Sequence, residues 1–135
     1  MDSDKSTVLR AFNKLFFEFI DDIISVYPDN VEMLTARESF AMFKKLNPTS
    51  IVKVWFSGVY SKYKSEIDEG NLNFFTEKDY SVDLNSSNVN NSQSVLNMID
   101  KVRTPIKNMN EQNGPQVTKY IQGLSKLSSV YASFP

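Results

Sequence analysis

The carboxylates of the first apolar segment are the residues of this chain whose spacing comes closest to a chemical site. Glu18, Asp21 and Asp22 share one side of a helix-like pattern, where carboxylate oxygens can hold a hard cation or work as an acid–base pair. Charges opposite an apolar stripe are also what an ordinary solvated helix face carries. We therefore interpret the cluster as surface and predict no metal site.

The residue inventory excludes much of catalytic chemistry, because the chain contains no Cys and no His. Disulfides, thiolate nucleophiles, Cys/His zinc sites and imidazole acid–base catalysis all need those side chains. The acidic stretch 68–79 lacks the alternating oxygens and the closing Glu of an EF-hand loop, and no Gly-rich phosphate loop occurs. We expect a protein that is not an enzyme and that needs no cofactor.

Basic residues give the second candidate chemistry, which is phosphate binding. Lys44 and Lys45 end the second apolar segment, where they either complement a helix dipole or contact phosphate. Further basic residues interleave with tyrosines in the last third of the chain, and the candidate phosphate contacts there are Lys101, Arg103 and Lys107. Residues 1–84 carry a net charge of −4 and residues 85–135 one of +3. The pI of 5.4 opposes nonspecific attraction to DNA, so nucleic acid ranks second to protein as a partner.

The elements that must position these residues are helices. Apolar residues recur at spacings of three and four over 7–27, with Pro28 as the stop. A second helix starts at Asp29 or Asn30 and continues through an apolar set: Val31, Leu34, Ala36, Phe40, Phe43 and Leu46. Asn47-Pro48 predicts a restart, with Pro48 in the first helical position, and Gly70 predicts the end of the third helix. The row Ile51, Trp55, Val59, Tyr63 and Ile67 predicts a buried face with Trp55 at its centre.

The C-terminal half predicts two more helices. Residues 71–84 indicate a short irregular strap, and the Asn/Ser-rich residues 85–93 a loop. A fourth helix over 94–110 should kink or break at Pro105, between Val102 and Ile106. Asn113-Gly114-Pro115 predicts a turn, which makes 94–135 an antiparallel helical hairpin. The expected fold is all-α: one domain over 1–135, a bundle of about five helices, with no membrane-spanning segment.

The predicted helices carry more apolar surface than one small bundle can cover. Phe17 and Ile24 widen the stripe of the first helix, and the last helix has a heptad seam that includes Tyr120 and Tyr131. We expect these four residues to form an exposed patch that binds a protein partner or a second copy of the chain.

Four strings stand out when they are taken together: AFNKLFFEFIDDIISVYPDN, KKLNPTSIVKVW, FFTEKDY and KYIQGLSKLSSVY. They resemble sequences of short helical proteins of large double-stranded DNA viruses that infect algae and protists. The resemblance implies a virion component, such as a minor capsid or capsid-associated protein. Its partners would be other viral structural proteins, and its location the host cytoplasm during assembly and then the virion. The alternative is a nucleic-acid-associated or transcription-related accessory factor that uses the basic C-terminal third.

Overall fold

A computed structural model describes residues 2–70, 98–99 and 103–134, and the regular structure in these ranges is entirely helical. The elements are α1 (Asp2–Val26), α2 (Val31–Leu46), α3 (Ser50–Val54), a π-helical segment (Trp55–Tyr60), α4 (Ser61–Asp68) and α5 (Arg103–Ser133). The three central elements follow one another without a gap as a single bent rod over 50–68. The prediction of an all-α fold is confirmed. The elements above form four helical rods, and Met98 and Ile99 are helical as well, outside these rods. The predicted strap and loop, 71–93, lie outside those ranges.

The ends of the first two helices follow local chemistry. α1 begins at Asp2, about a turn before the predicted start at residue 7, and ends at Val26, ahead of Pro28. Of the two residues proposed to start α2, Asn30 is the cap, because its side chain accepts a hydrogen bond of 3.1 Å from the backbone N–H of Met33.

The Asn47-Pro48 junction is a turn rather than the first turn of a helix. The Asn47 side chain accepts hydrogen bonds from the N–H and the hydroxyl of Thr49, and α3 begins only at Ser50. The expectation that Pro48 takes the first helical position is therefore wrong by two residues. The predicted end at Gly70 is confirmed, because Gly70 has a φ of 77° and its N–H donates to the Ile67 carbonyl.

The π-helical segment explains how a strict four-residue row stays on one face. In an α-helix a spacing of four overshoots one turn by about 40°, so a row of five residues would drift around the axis. The wider turns of the π-helix and a kink at Tyr63 counteract this drift. As predicted, all five residues are buried, and Trp55 is 2% exposed: Ile51, Trp55, Val59, Tyr63 and Ile67.

α5 contradicts the predicted C-terminal hairpin. The helix runs unbroken from Arg103 to Ser133, with Gly114 and Pro115 in its middle. Ile106 and Val117 are both buried, and their separation of 11 residues is about three helical turns, so a straight helix places both on one face. Pro115 is exposed, which directs the disrupted backbone bond away from the core.

The kink or break predicted between Val102 and Ile106 stays a prediction, because residues 100–102 lie outside the described ranges. Pro105 occupies the first turn, where a missing N–H removes no intrahelical hydrogen bond.

The core lies between α1, α2, the bent rod and α5. α1 and α5 are antiparallel, since Lys5 lies over the Tyr131 ring near one end and Gln116 contacts Asp22 near the other. Four aromatic rings meet at the centre in largely edge-to-face contacts: Phe12, Phe16, Phe40 and Trp55. The indole N–H of Trp55 donates to the Ser125 hydroxyl at 3.0 Å, which ties α5 to the bent rod.

Candidate functional site: the groove between α1 and α2

The two tyrosines predicted to bind a partner lie instead at the contact between α1 and α5, which we call the α5 seam. Tyr131 is 8% exposed and belongs to the core. Tyr120 is half-buried, its ring stacks on Phe19 with centroids 4.8 Å apart, and its hydroxyl donates to Asp22. The expectation of an exposed tyrosine patch on the last helix is therefore wrong. Tyr120 and Tyr131 face inward because the seam extends along the whole length of α1.

Asp22 gives the α5 seam its polar element. Its carboxylate accepts from the Tyr120 hydroxyl and, at 3.1 Å, from the Gln116 amide. Burial, together with the hydrogen bond to Asp22, raises the pKa of Tyr120 to about 12. Tyr120 is therefore a neutral donor at physiological pH.

The carboxylates on α1 contact different helices. Asp22 faces α5, whereas Asp21 accepts a hydrogen bond of 2.6 Å from Arg37 of α2, and this contact raises the pKa of Arg37. Across the described ranges, no group of three or more Asp or Glu side chains is arranged to hold a metal ion.

Phe17, the third residue predicted to bind a partner, lies in a groove between α1 and α2. The groove has a volume of about 900 Å³ and is open to solvent along its length. Lys44 and Lys45, the candidate phosphate contacts of the second helix, line the same groove. Its other lining residues are Arg10, Asn13, Lys14, Glu18, Asp21, Arg37, Ala41 and Pro48. Ile24, the fourth predicted partner residue, packs partly buried against the core instead.

The floor of the groove is an aromatic ring covered by two cations. The Arg37 guanidinium and the Lys44 ammonium lie 5.6 and 5.5 Å from the centroid of the Phe17 ring. Both distances are within the range of cation–π attraction. The ring is thus a platform that holds positive charge in place along the groove.

Asn13 is the one strongly buried polar side chain of the groove. It is 4% exposed, and its amide nitrogen donates to the Pro48 carbonyl at 3.1 Å. Its Oδ1 is buried and has no hydrogen-bond partner. Since an unmatched buried acceptor costs about 1 to 3 kcal/mol, this atom marks a place where a donor would be favourable.

Sequence reasoning missed Arg10, Asn13, Lys14 and Arg37 as residues of the site. The signal was present, because residues 10, 13, 14, 17, 18 and 21 recur at spacings of three and four and so share one face of α1. Of the remaining predicted phosphate contacts, Lys101 lies outside the described ranges. Arg103 and Lys107 contribute backbone to the start of α5, and their side chains are likewise outside.

A second surface adjoins the groove on the outer side of α2. Val31, Leu34 and Leu46 were expected to face the core, but they are exposed, as is Met42, with exposed fractions of 71%, 43%, 78% and 62%. The buried face of α2 is formed instead by Met33, Ala36 and Phe40. We call the exposed set the α2 stripe: Val31, Leu34, Met42 and Leu46. On a helical projection Lys45 falls within the stripe and Ala41 next to it, and both residues line the groove, which makes the two surfaces continuous.

Comparisons with known proteins found no matching family model, no matching curated protein and no matching solved structure. None of the helices in the described ranges is both long enough and apolar enough to cross a membrane.

Proposed function

We propose that the protein is a non-enzymatic interaction protein that binds another protein through the α2 stripe and the adjoining groove. The observation that carries this proposal is the exposure of four large apolar side chains on one face of α2. Solvated helix faces are normally polar, and large apolar side chains that cluster on an exposed face mark interaction sites, here as one pair at each end of α2.

The charges on the α2 stripe favour a different protein over a second copy of this chain. Glu38 is exposed and lies near the middle of the stripe. In a twofold antiparallel pairing of α2 about that midpoint, the Glu38 carboxylates of the two copies would meet, and like charges at an interface repel. The complementary surface is an apolar patch with a basic residue at its centre.

The viral resemblance supplies the proposed setting, in which the partner is a structural protein of a virion and this chain is a minor capsid or capsid-associated component. Mass spectrometry of purified virions, compared with infected-cell extract, tests this setting. We expect the protein to be enriched in particles. Its absence from particles would contradict the virion role and favour a factor that acts only during infection.

The docking surface is tested by replacing Met42 with a photoreactive amino acid and cross-linking within purified particles. We expect one dominant cross-link to a structural protein other than this chain. The same probe at Ser65, which is exposed on α4, is the matched control and should not give that product. Cross-links only between copies of this chain, or equal products from both positions, would contradict the proposal.

A further inference from the structure

We infer that the groove between α1 and α2 binds an extended acidic segment of the partner protein. This inference rests on the proposed function and adds the chemistry of the segment that the groove recognises.

The charge of the groove is the first step. Five cationic side chains line it against two carboxylates: Arg10, Lys14, Arg37, Lys44 and Lys45, against Glu18 and Asp21. The pair formed by Arg37 and Asp21 removes one of each. Arg10, Lys14, Lys44 and Lys45 then outnumber Glu18, in a chain whose net charge is −1. The groove is a local basic surface on an acidic protein, and it attracts an anionic ligand.

The shape of the groove is the second step. Its α1 side extends from Arg10 to Asp21, which is about 16 Å at 1.5 Å per residue. An extended peptide advances about 3.3 Å per residue, so about five residues lie along the groove. Acidic residues at alternate positions of such a segment point to the same side, towards the lysines.

Asn13 supplies the third step and favours a peptide over a phosphate ligand. Its buried Oδ1 lacks a donor, and every residue of a peptide except proline carries a backbone N–H. A phosphodiester has only acceptor oxygens and cannot satisfy this atom. A peptide N–H that reached this buried atom, after a small shift of the Asn13 side chain that exposes it to the groove, would add a hydrogen bond where the free protein lacks one.

The arrangement also disfavours nucleic acid. Arg37 and Lys44 already lie over the Phe17 ring, so a base would have to displace these cations before it could stack there.

The test is direct binding of labelled synthetic peptides to the full-length chain. The probe is an eight-residue peptide of alternating Glu and Ala, and its comparison is the same peptide with Gln in place of every Glu. Fluorescence anisotropy should show the Gln peptide binding at least about tenfold more weakly, which corresponds to about 1.4 kcal/mol. Affinity for the Glu peptide should fall as salt is raised.

Charge reversal locates the site. Lys44→Glu should weaken binding of the Glu peptide by about tenfold or more, whereas Lys64→Glu, the same change on α4, should alter it less than about twofold. Circular dichroism establishes that both variants fold, and the milder Lys44→Gln replaces Lys44→Glu if the latter does not. Equal affinities for the protein with Lys44 altered and the unaltered protein would overturn the assignment.

Asn13 is tested from the peptide side, which needs no protein variant. Single N-methyl groups are placed on each peptide nitrogen in turn, and one position should lose about tenfold in affinity because its N–H no longer donates. In Asn13→Ala, methylation at that position should have no effect. Uniform losses at all positions would remove Asn13 from the inference.

A single-stranded DNA oligonucleotide of equal charge is the competing probe. If it binds more tightly than the Glu peptide, and Lys44→Glu abolishes that binding, the groove is a phosphate site and the inference falls. If neither probe binds while cross-linking from position 42 still captures another structural protein, the inference fails and the proposed function stands.

Discussion

α1 packs against α5 on one side and borders the groove with α2 on the other. Both sides carry aromatic and charged residues, but their contacts differ. At the α5 seam, aromatic and polar groups are matched: Tyr120 stacks on Phe19 and donates to Asp22, and a Cβ on Gly123 would lie 3.1 Å from a Leu15 methyl group. On the α2 side, the helices are separated by an open groove whose lysines form no ion pair with the described residues and whose Asn13 acceptor is unmatched. The α5 seam borders an open pocket of about 570 Å³, lined in part by Leu15, Tyr120 and Gly123, but its contacts join the two helices and so stabilise the fold. The groove between α1 and α2 is typical of a surface that binds.

This contrast predicts that stability is concentrated on the α5 side and binding on the α2 side. Core packing is worth several kcal/mol per large side chain, whereas exposed ion pairs are worth little. Substitutions on the two sides of α1, compared by the change each causes in the free energy of unfolding, therefore decide whether the comparison is correct.

The largest expected effect is at Trp55, which contacts Phe12 and Phe16 and donates to Ser125 of α5. Trp55→Ala should lower the free energy of unfolding by about 3 to 5 kcal/mol, the range for large aromatic truncations in cores. Chemical denaturation followed by far-UV circular dichroism measures the loss. Phe56→Ala, an aromatic truncation at the next and more exposed position, should cost less than half as much.

A separate variant isolates the hydrogen bond from the packing at Trp55. Ser125→Ala leaves the buried indole N–H without a partner, which should cost about 1 to 3 kcal/mol with little change in volume. A loss near zero would mean that the bond between the bent rod and α5 does not stabilise the fold.

Tyr120 should show a pH-dependent contribution of intermediate size. Its pKa of about 12 in the folded state exceeds the value of about 10 in an unfolded chain, so the folded state binds this proton more tightly. The resulting stability is complete below about pH 10 and is lost as the pH rises towards 12. The difference in unfolding free energy between the unaltered protein and Tyr120→Phe should therefore shrink across this range in urea titrations. A constant difference would show that burial and the contact with Asp22 do not raise the pKa of this phenol.

The smallest expected effect is at Arg37, on the α2 side. Its side chain is 43% exposed and that of its partner Asp21 is 52% exposed, so their ion pair is well solvated. Arg37→Gln should change the free energy of unfolding by less than about 1 kcal/mol. A loss comparable to that of Trp55→Ala would remove the distinction between the two sides. A double-mutant cycle with Asp21→Asn separates the pair from the contact of Arg37 with Phe17.

The sequence alone was sufficient to predict features for which a local pattern is compatible with only one structure. The all-α class, the cap at Gly70 and the burial of Trp55 follow from local periodicity and backbone preference, which act within one or two turns of a helix. The site could be predicted only in part. Phe17, Lys44 and Lys45 stand out individually, but that they line one groove depends on how α2 lies across α1.

Only the tertiary structure decided the features for which the local sequence pattern is compatible with two structures. α2 carries two interleaved apolar sets with similar spacing, and packing against α1 determines that Met33, Ala36 and Phe40 are buried while Val31, Leu34 and Leu46 are exposed. Gly114 and Pro115 favour a turn locally, yet α5 remains continuous because Ile106 and Val117 are buried on the same face. Burying apolar side chains over the length of α5 stabilises the helix by more than one interrupted backbone bond costs, and this total exists only once the helices are packed together.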